Sequence, residues 1–230
     1  MATFPSGSAL PSSGADSRSV FITRTYTHLV GGILGFILVE LALFESGLAA
    51  QIARFMFGLP WLLILGAFMV TGWLASRTAH TSASIGMQYF AFGAYVVAEA
   101  LIFVPLLYIA DLKAPGVIDS ATLVTALGTG GLMLVAHRTR MDFSFLRAIL
   151  MWGGILAMVA IVGGLVFGFQ LGTWFSVAMI GFAGAAVLYD TSNIIHSFPE
   201  DRYVAAAMQL FASIALMFWY VLQFFMGSRR

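Results

Sequence analysis

Cysteine is absent from this chain, which excludes disulfides, thiolate metal sites and cysteine nucleophiles together. Charge is almost as scarce. Charged residues make up 9% of the sequence, where a soluble domain carries about 25%, so the chain lacks the material for an ordinary water-facing surface. A net charge of +1 offers no basic face, and no nucleic-acid partner is expected. There is no Gly-rich phosphate cradle and no G-x-S-x-G nucleophile turn, and His28, His80, His137 and His196 follow no zinc-ligand spacing. No period of 20–50 residues repeats, so a solenoid is excluded as well. An enzyme is not expected, and neither is a resident cofactor.

Hydrocarbon, by contrast, is abundant. Hydrophobic residues account for 60% of the 230, and the mean hydropathy is +0.95. Such a chain belongs in a lipid bilayer. Seven stretches approach the ~20 residues needed to cross one: Tyr26–Leu43, Leu59–Leu74, Ile85–Ile109, Val117–Ala136, Leu146–Phe167, Thr173–Ile195 and Val204–Met226. The expected fold is an all-α, polytopic bundle of seven transmembrane helices, with short connections making successive helices antiparallel neighbours.

The seven spans lie within residues 25–226. Residues 1–24 read as a Ser/Pro/Gly-rich polar tail, expected to be disordered, and residues 227–230 as a short basic end. With the N-terminus inside, the inner segments carry Arg18, Arg24, Arg77, Arg138, Arg140, Arg147 and Arg202, against Arg54, Lys113, Arg229 and Arg230 outside. Seven against four predicts an inside N-terminus and an outside C-terminus, as in a bacterial inner membrane. Glycines at close-packing spacings, such as Gly31 with Gly35 and the Gly153–Gly154 pair, fit helix packing in lipid. Pro105 is expected to kink the third span.

Three carboxylates fall inside spans: Glu40, Glu99 and Asp190. A charge at membrane depth costs about 2.5–3.5 kcal/mol on insertion scales, so such groups normally face the bundle interior or a water-filled cavity. Counting at 1.5 Å per residue puts Asp190 about 10 Å from the inner helix end and Glu40 and Glu99 about 20 Å from theirs. Two outer carboxylates and one inner carboxylate suit a cation route with two stations, and Asp190 and Glu99 are candidate oxygen ligands for calcium. In the last span Gln209, Ser213, Tyr220 and Gln223 share one helical stripe, which should face inward and make the seventh helix central. Asp190 is level with Gln209 and Ser213, so a hydrogen bond to one of them is expected. The histidines lie near the predicted inner face, where His137 and His196 are candidates for pH sensing.

Two motifs resemble a known family. His137–Leu146 (HRTRMDFSFL) is similar to the basic-plus-Asp-Phe-Ser loop of the Bax inhibitor 1 family, and Leu188–His196 (LYDTSNIIH) is similar to its sixth-helix Tyr-Asp-Thr signature. Val204–Phe225 resembles its final helix. The resemblance implies a central last helix wrapped by six others and, in bacterial members, a pH-sensitive calcium leak. It further implies an aspartate pair between the sixth and seventh helices, assisted by a basic residue near the end of the second. Asp190 matches the first aspartate, but Leu210–Ile214 (LFASI) puts Ser213 at the second. The basic position falls near Ala75, with Arg77 two residues further on. Serine cannot share an acid proton as a second carboxylate does, so the expected leak has an altered latch. The alternative is a protein without transport: a modulator of a membrane complex such as a membrane-anchored AAA protease, or a structural partner within one. In that case the N-terminal tail and the Arg138–Arg147 loop would be the contact surfaces.

Overall fold

The chain is described by a computed structural model over residues 13–82, 84–139 and 141–228. It contains eight α-helices: α1 Ser13–Glu45, α2 Leu48–Phe57, α3 Trp61–Thr81, α4 Ile85–Lys113, α5 Val117–Thr139, α6 Leu146–Phe167, α7 Gly172–His196 and α8 Tyr203–Ser228. A 3-10 turn, Glu200–Arg202, leads into α8. Seven of the eight are long and apolar enough to cross a membrane, and no strand occurs among the described residues. The all-α, seven-span architecture expected from the sequence is therefore the observed one.

Two boundaries differ from expectation. Residues 13–24, assigned to a disordered tail, form the first turns of α1, while residues 1–12 lie outside the described residues. Along 33 residues α1 reaches about 50 Å, well beyond a hydrocarbon core of ~30 Å. At the other terminus, Gly227 and Ser228 still belong to α8, and Arg229 and Arg230 lie outside the described residues.

A further difference is α2, which the sequence reading left in the connection between the first and second spans. Gly47 makes it possible: its φ of 75° lets the chain turn sharply out of α1 with only Ser46 and Gly47 between the helices. Ala49 and Ala53 then press against Val104 of α4, flanked by Phe44, Ile52 and Tyr108. Small residues on this face allow close approach, while Phe55 and Phe57 point away and remain exposed.

The packing is centred on α8. In its apolar window 67% of the residues are buried, and in that of α4, 61%; for α6 the figure is 0%. Helices α1, α3, α4, α5 and α7 all pack substantially on α8, whereas α6 rests on α7 with a smaller contact to α3. The last helix is thus central as expected, but five helices surround it closely rather than six. Its first half, with Ala205, Ala206 and Ala207 fully buried, sits in the interior. Phe211 meets Phe36, Phe92 and Tyr95 edge-on at 6.0–6.3 Å, joining α8 to α1 and α4. Helix α6 approaches α7 where Gly153 leaves room for the Phe182 ring; a Cβ there would lie 3.0 Å from it.

One end of the bundle is bound together by polar contacts between segments remote in sequence. Arg18 of α1 donates to the carbonyls of Ile194 (2.6 Å), Ile195 (3.0 Å) and Phe198 (2.5 Å) at the end of α7. Terminal carbonyls of a helix have no partner within it, and a cation there also meets the negative end of the helix dipole. Arg202, before α8, donates to Ser82 O in the α3–α4 connection, which Gln88 also reaches at 3.0 Å. We expect Arg18→Ala to lower stability by about 1.5–3 kcal/mol, the range for hydrogen bonds to a charged group, and Arg18→Lys to recover part of the loss. Thermal unfolding of the reconstituted protein followed by circular dichroism would measure both.

Candidate functional site

Asp190 lies on α7, 4% exposed, in a helix whose preceding residues carry no charge. Both of its oxygens are occupied. Gln209 Nε2 donates to Oδ1 at 2.6 Å and Ser213 Oγ donates to Oδ2 at 2.5 Å. Gln209 and Ser213 are four residues apart, so they project from one face of α8 on successive turns and grip the carboxylate from two sides. Hydrogen bonds to an ionised acceptor are short and strong, and here they replace the water that a buried carboxylate would otherwise need. The expected bond to one of these residues is a bond to each.

The stripe on α8 continues into a cavity. Ser213, Tyr220 and Gln223 line a space of about 820 Å³ between α3, α4, α6, α7 and α8, and Glu99 of α4 lines it too. Glu99 Oε1 accepts a hydrogen bond from Tyr95 Oη at 3.2 Å. Ser213 therefore belongs to both the Asp190 clasp and the cavity wall. Glu40 does not line this cavity; it is buried on α1 with neither oxygen hydrogen-bonded among the described residues.

The remaining predicted residues are placed elsewhere. Arg77 is exposed near the end of α3, with its guanidinium 5.3 Å from the centre of the Trp73 ring, and it makes no contact with Asp190. The reason is geometric: the buried face of that turn is formed by Ala75 and Ala79, which turns Arg77 outward. His196 Nδ1 lies 2.9 Å from Ser192 O, and His137 Nδ1 lies 3.3 Å from Met133 O while its ring packs near Tyr26. Each histidine bonds its own helix rather than Asp190. Among the described residues no three His, Cys, Asp or Glu side chains converge.

Sequence reasoning missed Ser192, although it stands two residues after Asp190. Its hydroxyl accepts from Phe143 N at 3.1 Å and donates to Met141 O at 3.2 Å, tying the α5–α6 loop to α7. Asp142 Oδ1 shapes that loop by accepting Ser144 N at 2.9 Å, an Asx turn. The Asp-Phe-Ser loop and the Tyr-Asp-Thr-Ser helix, remote in sequence, are joined at one hydroxyl.

A family model described as "Inhibitor of apoptosis-promoting Bax1" matches residues 18–230, nearly the whole chain. The chain belongs to the Bax inhibitor 1 family. It is also similar to "Uncharacterized protein PA2604" of Pseudomonas aeruginosa, with 38% identity over 112 residues. That match covers 47% of this chain and 49% of the relative, so it spans about half the length of the curated protein. The coupling of loop and helix through Ser192 joins the two segments whose wording resembles this Bax inhibitor 1 family.

If Asp190 and Ser213 act as one unit, their substitutions should not add. A cycle of Asp190→Asn and Ser213→Ala should give a coupling of about 0.5–3 kcal/mol, whereas Asp190→Asn with Arg77→Gln should add within about 0.5 kcal/mol. Unfolding free energies measured in micelles decide between the two.

Proposed function

We propose that this Bax inhibitor 1 family protein is a passive cation leak rather than an enzyme, with calcium as its favoured cargo and the Asp190 clasp as its closed gate. The observation that carries the reading is the double position of Ser213, which donates to Asp190 Oδ2 at 2.5 Å and also lines the cavity that Glu99 lines. Releasing the clasp frees the carboxylate oxygens and joins Asp190 to a space that already holds a second carboxylate. Hard oxygen ligands of this kind suit a divalent cation in transit, and the low number of them suits passage rather than retention.

The end of the bundle near Asp190 is the one rich in arginine, and in this reading it faces the cytoplasm of a bacterial cell. A family latch made of two aspartates shares one proton and so responds steeply to pH. Here the partner is a hydroxyl, which hydrogen-bonds at all pH values. This leak therefore has a shallower pH response than one with a second aspartate at position 213.

The test is calcium entry into proteoliposomes between about pH 6 and 8, the range where cellular proton switches operate. Asp190→Asn keeps a side-chain oxygen for the clasp but removes the charge that a divalent ion would meet. It should lower flux by about tenfold or more, equivalent to about 1.4 kcal/mol of barrier. Ser213→Asp should restore a steep pH step. Absence of flux in wild type and in both variants would end the leak reading.

A further inference from the structure

The cavity beside the clasp has walls that an inorganic ion does not need. Its volume of about 820 Å³ falls within the roughly 300–1,000 Å³ of small-molecule sites. Most of the lining is carbon, and much of it aromatic: Trp61, Phe68, Phe103, Trp219 and Tyr220 contribute from three different helices. Trp61 and Trp219 stack at 6.3 Å, and Trp219 meets Phe103 edge-on at 5.0 Å, so part of this wall is a preformed aromatic surface. A hydrated ion gains little from such a surface, whereas an organic cation is attracted to the faces of its rings.

One carboxylate stands in this wall. Glu99 is 6% exposed, and only its Oε1 has a hydrogen-bond partner, Tyr95; Oε2 has none among the described residues. Oε2 is not among the fully enclosed unpartnered oxygens, so it opens to the cavity, where a carboxylate among apolar walls is best met by a cation or donor. The same wall offers an uncharged hydroxyl at Ser213 and an amide at Gln223, both secondary to that charge.

We propose that this cavity is a binding site for a hydrophobic organic cation: an amine or quaternary ammonium on an apolar body of drug size. Glu99 supplies the counter-charge, and the aromatic walls enclose the apolar body. A neutral lipid chain would fill the same volume but leave Glu99 Oε2 unpaired, which is why the charged ligand is the better fit. Helix α6 forms one wall while burying none of its own residues, so substitutions there alter the cavity without touching the core. The inference does not rest on the leak reading, because binding is measured without flux.

The test uses the full chain in lipid nanodiscs and isothermal titration calorimetry, with empty nanodiscs subtracted. The probes are phenylbutyl-trimethylammonium and its neutral isostere, in which carbon replaces the nitrogen. Wild type should bind the cation saturably and about tenfold or more tighter than the isostere. Glu99→Gln should abolish that preference while leaving the isostere's affinity unchanged, and Glu99→Asp should keep part of it. Ala157→Trp, which fills the cavity from α6, should weaken both probes about tenfold. Equal affinity for the two probes in wild type, which would mark a neutral lipid site, overturns the proposal. So does a cation preference that survives Glu99→Gln, or the absence of saturable binding. If Glu99→Gln does not fold, retained binding of both probes by Ala157→Trp overturns it instead.

Discussion

A carboxylate held away from water must take its hydrogen-bond donors from the protein, and at Asp190 both come from one helix. Gln209 and Ser213 satisfy the two oxygens from successive turns of α8. That requirement fixes the rotation of α8 about its axis, because only one face carries the donors. Once the face is fixed, Phe211 turns toward α1 and α4, and Tyr220 and Gln223 turn toward the cavity. Burying a lone charge would penalise the fold; burying a satisfied one orients it.

The broad architecture was legible because lipid imposes a length and a composition on every span. The bounds of α6, Leu146–Phe167, coincide with the stretch read from hydropathy, and the clasp residues followed from the depth of Asp190 and the polar stripe on α8. Legibility failed where the deciding contact is long-range. Arg18 lies in a polar run that resembles any solvated tail, and nothing nearby in sequence indicates that its partners are the carbonyls of residues 194, 195 and 198. Likewise α2 is a ten-residue apolar helix, too short to read as a span, set off from α1 by the left-handed Gly47 and from α3 by the Gly58–Pro60 break.

Arg77 lies apart from the clasp for another reason. Motif spacing placed a basic residue near the right level, but level is not direction. Ala75 and Ala79 own the buried face of that turn, and a residue two positions from either points elsewhere on the helix. The peripheral position of α6 was equally hidden, since it is among the most apolar spans and yet buries none of its residues. In lipid, hydropathy reports the solvent a helix tolerates, not how many neighbours it has.

The Arg18 contacts also bear on the order of assembly. Their partners lie 176 to 180 residues further along the chain. At about 5–20 residues per second, synthesis leaves this guanidinium without them for roughly ten to thirty-five seconds. The charge at the start of α1 is therefore made well before the carbonyls that hold it in place. Until α7 is complete, its early helices exist in the bilayer without the tie that joins them to the late ones. Any factor that shields nascent membrane helices has that interval in which to act, and the tie marks its end.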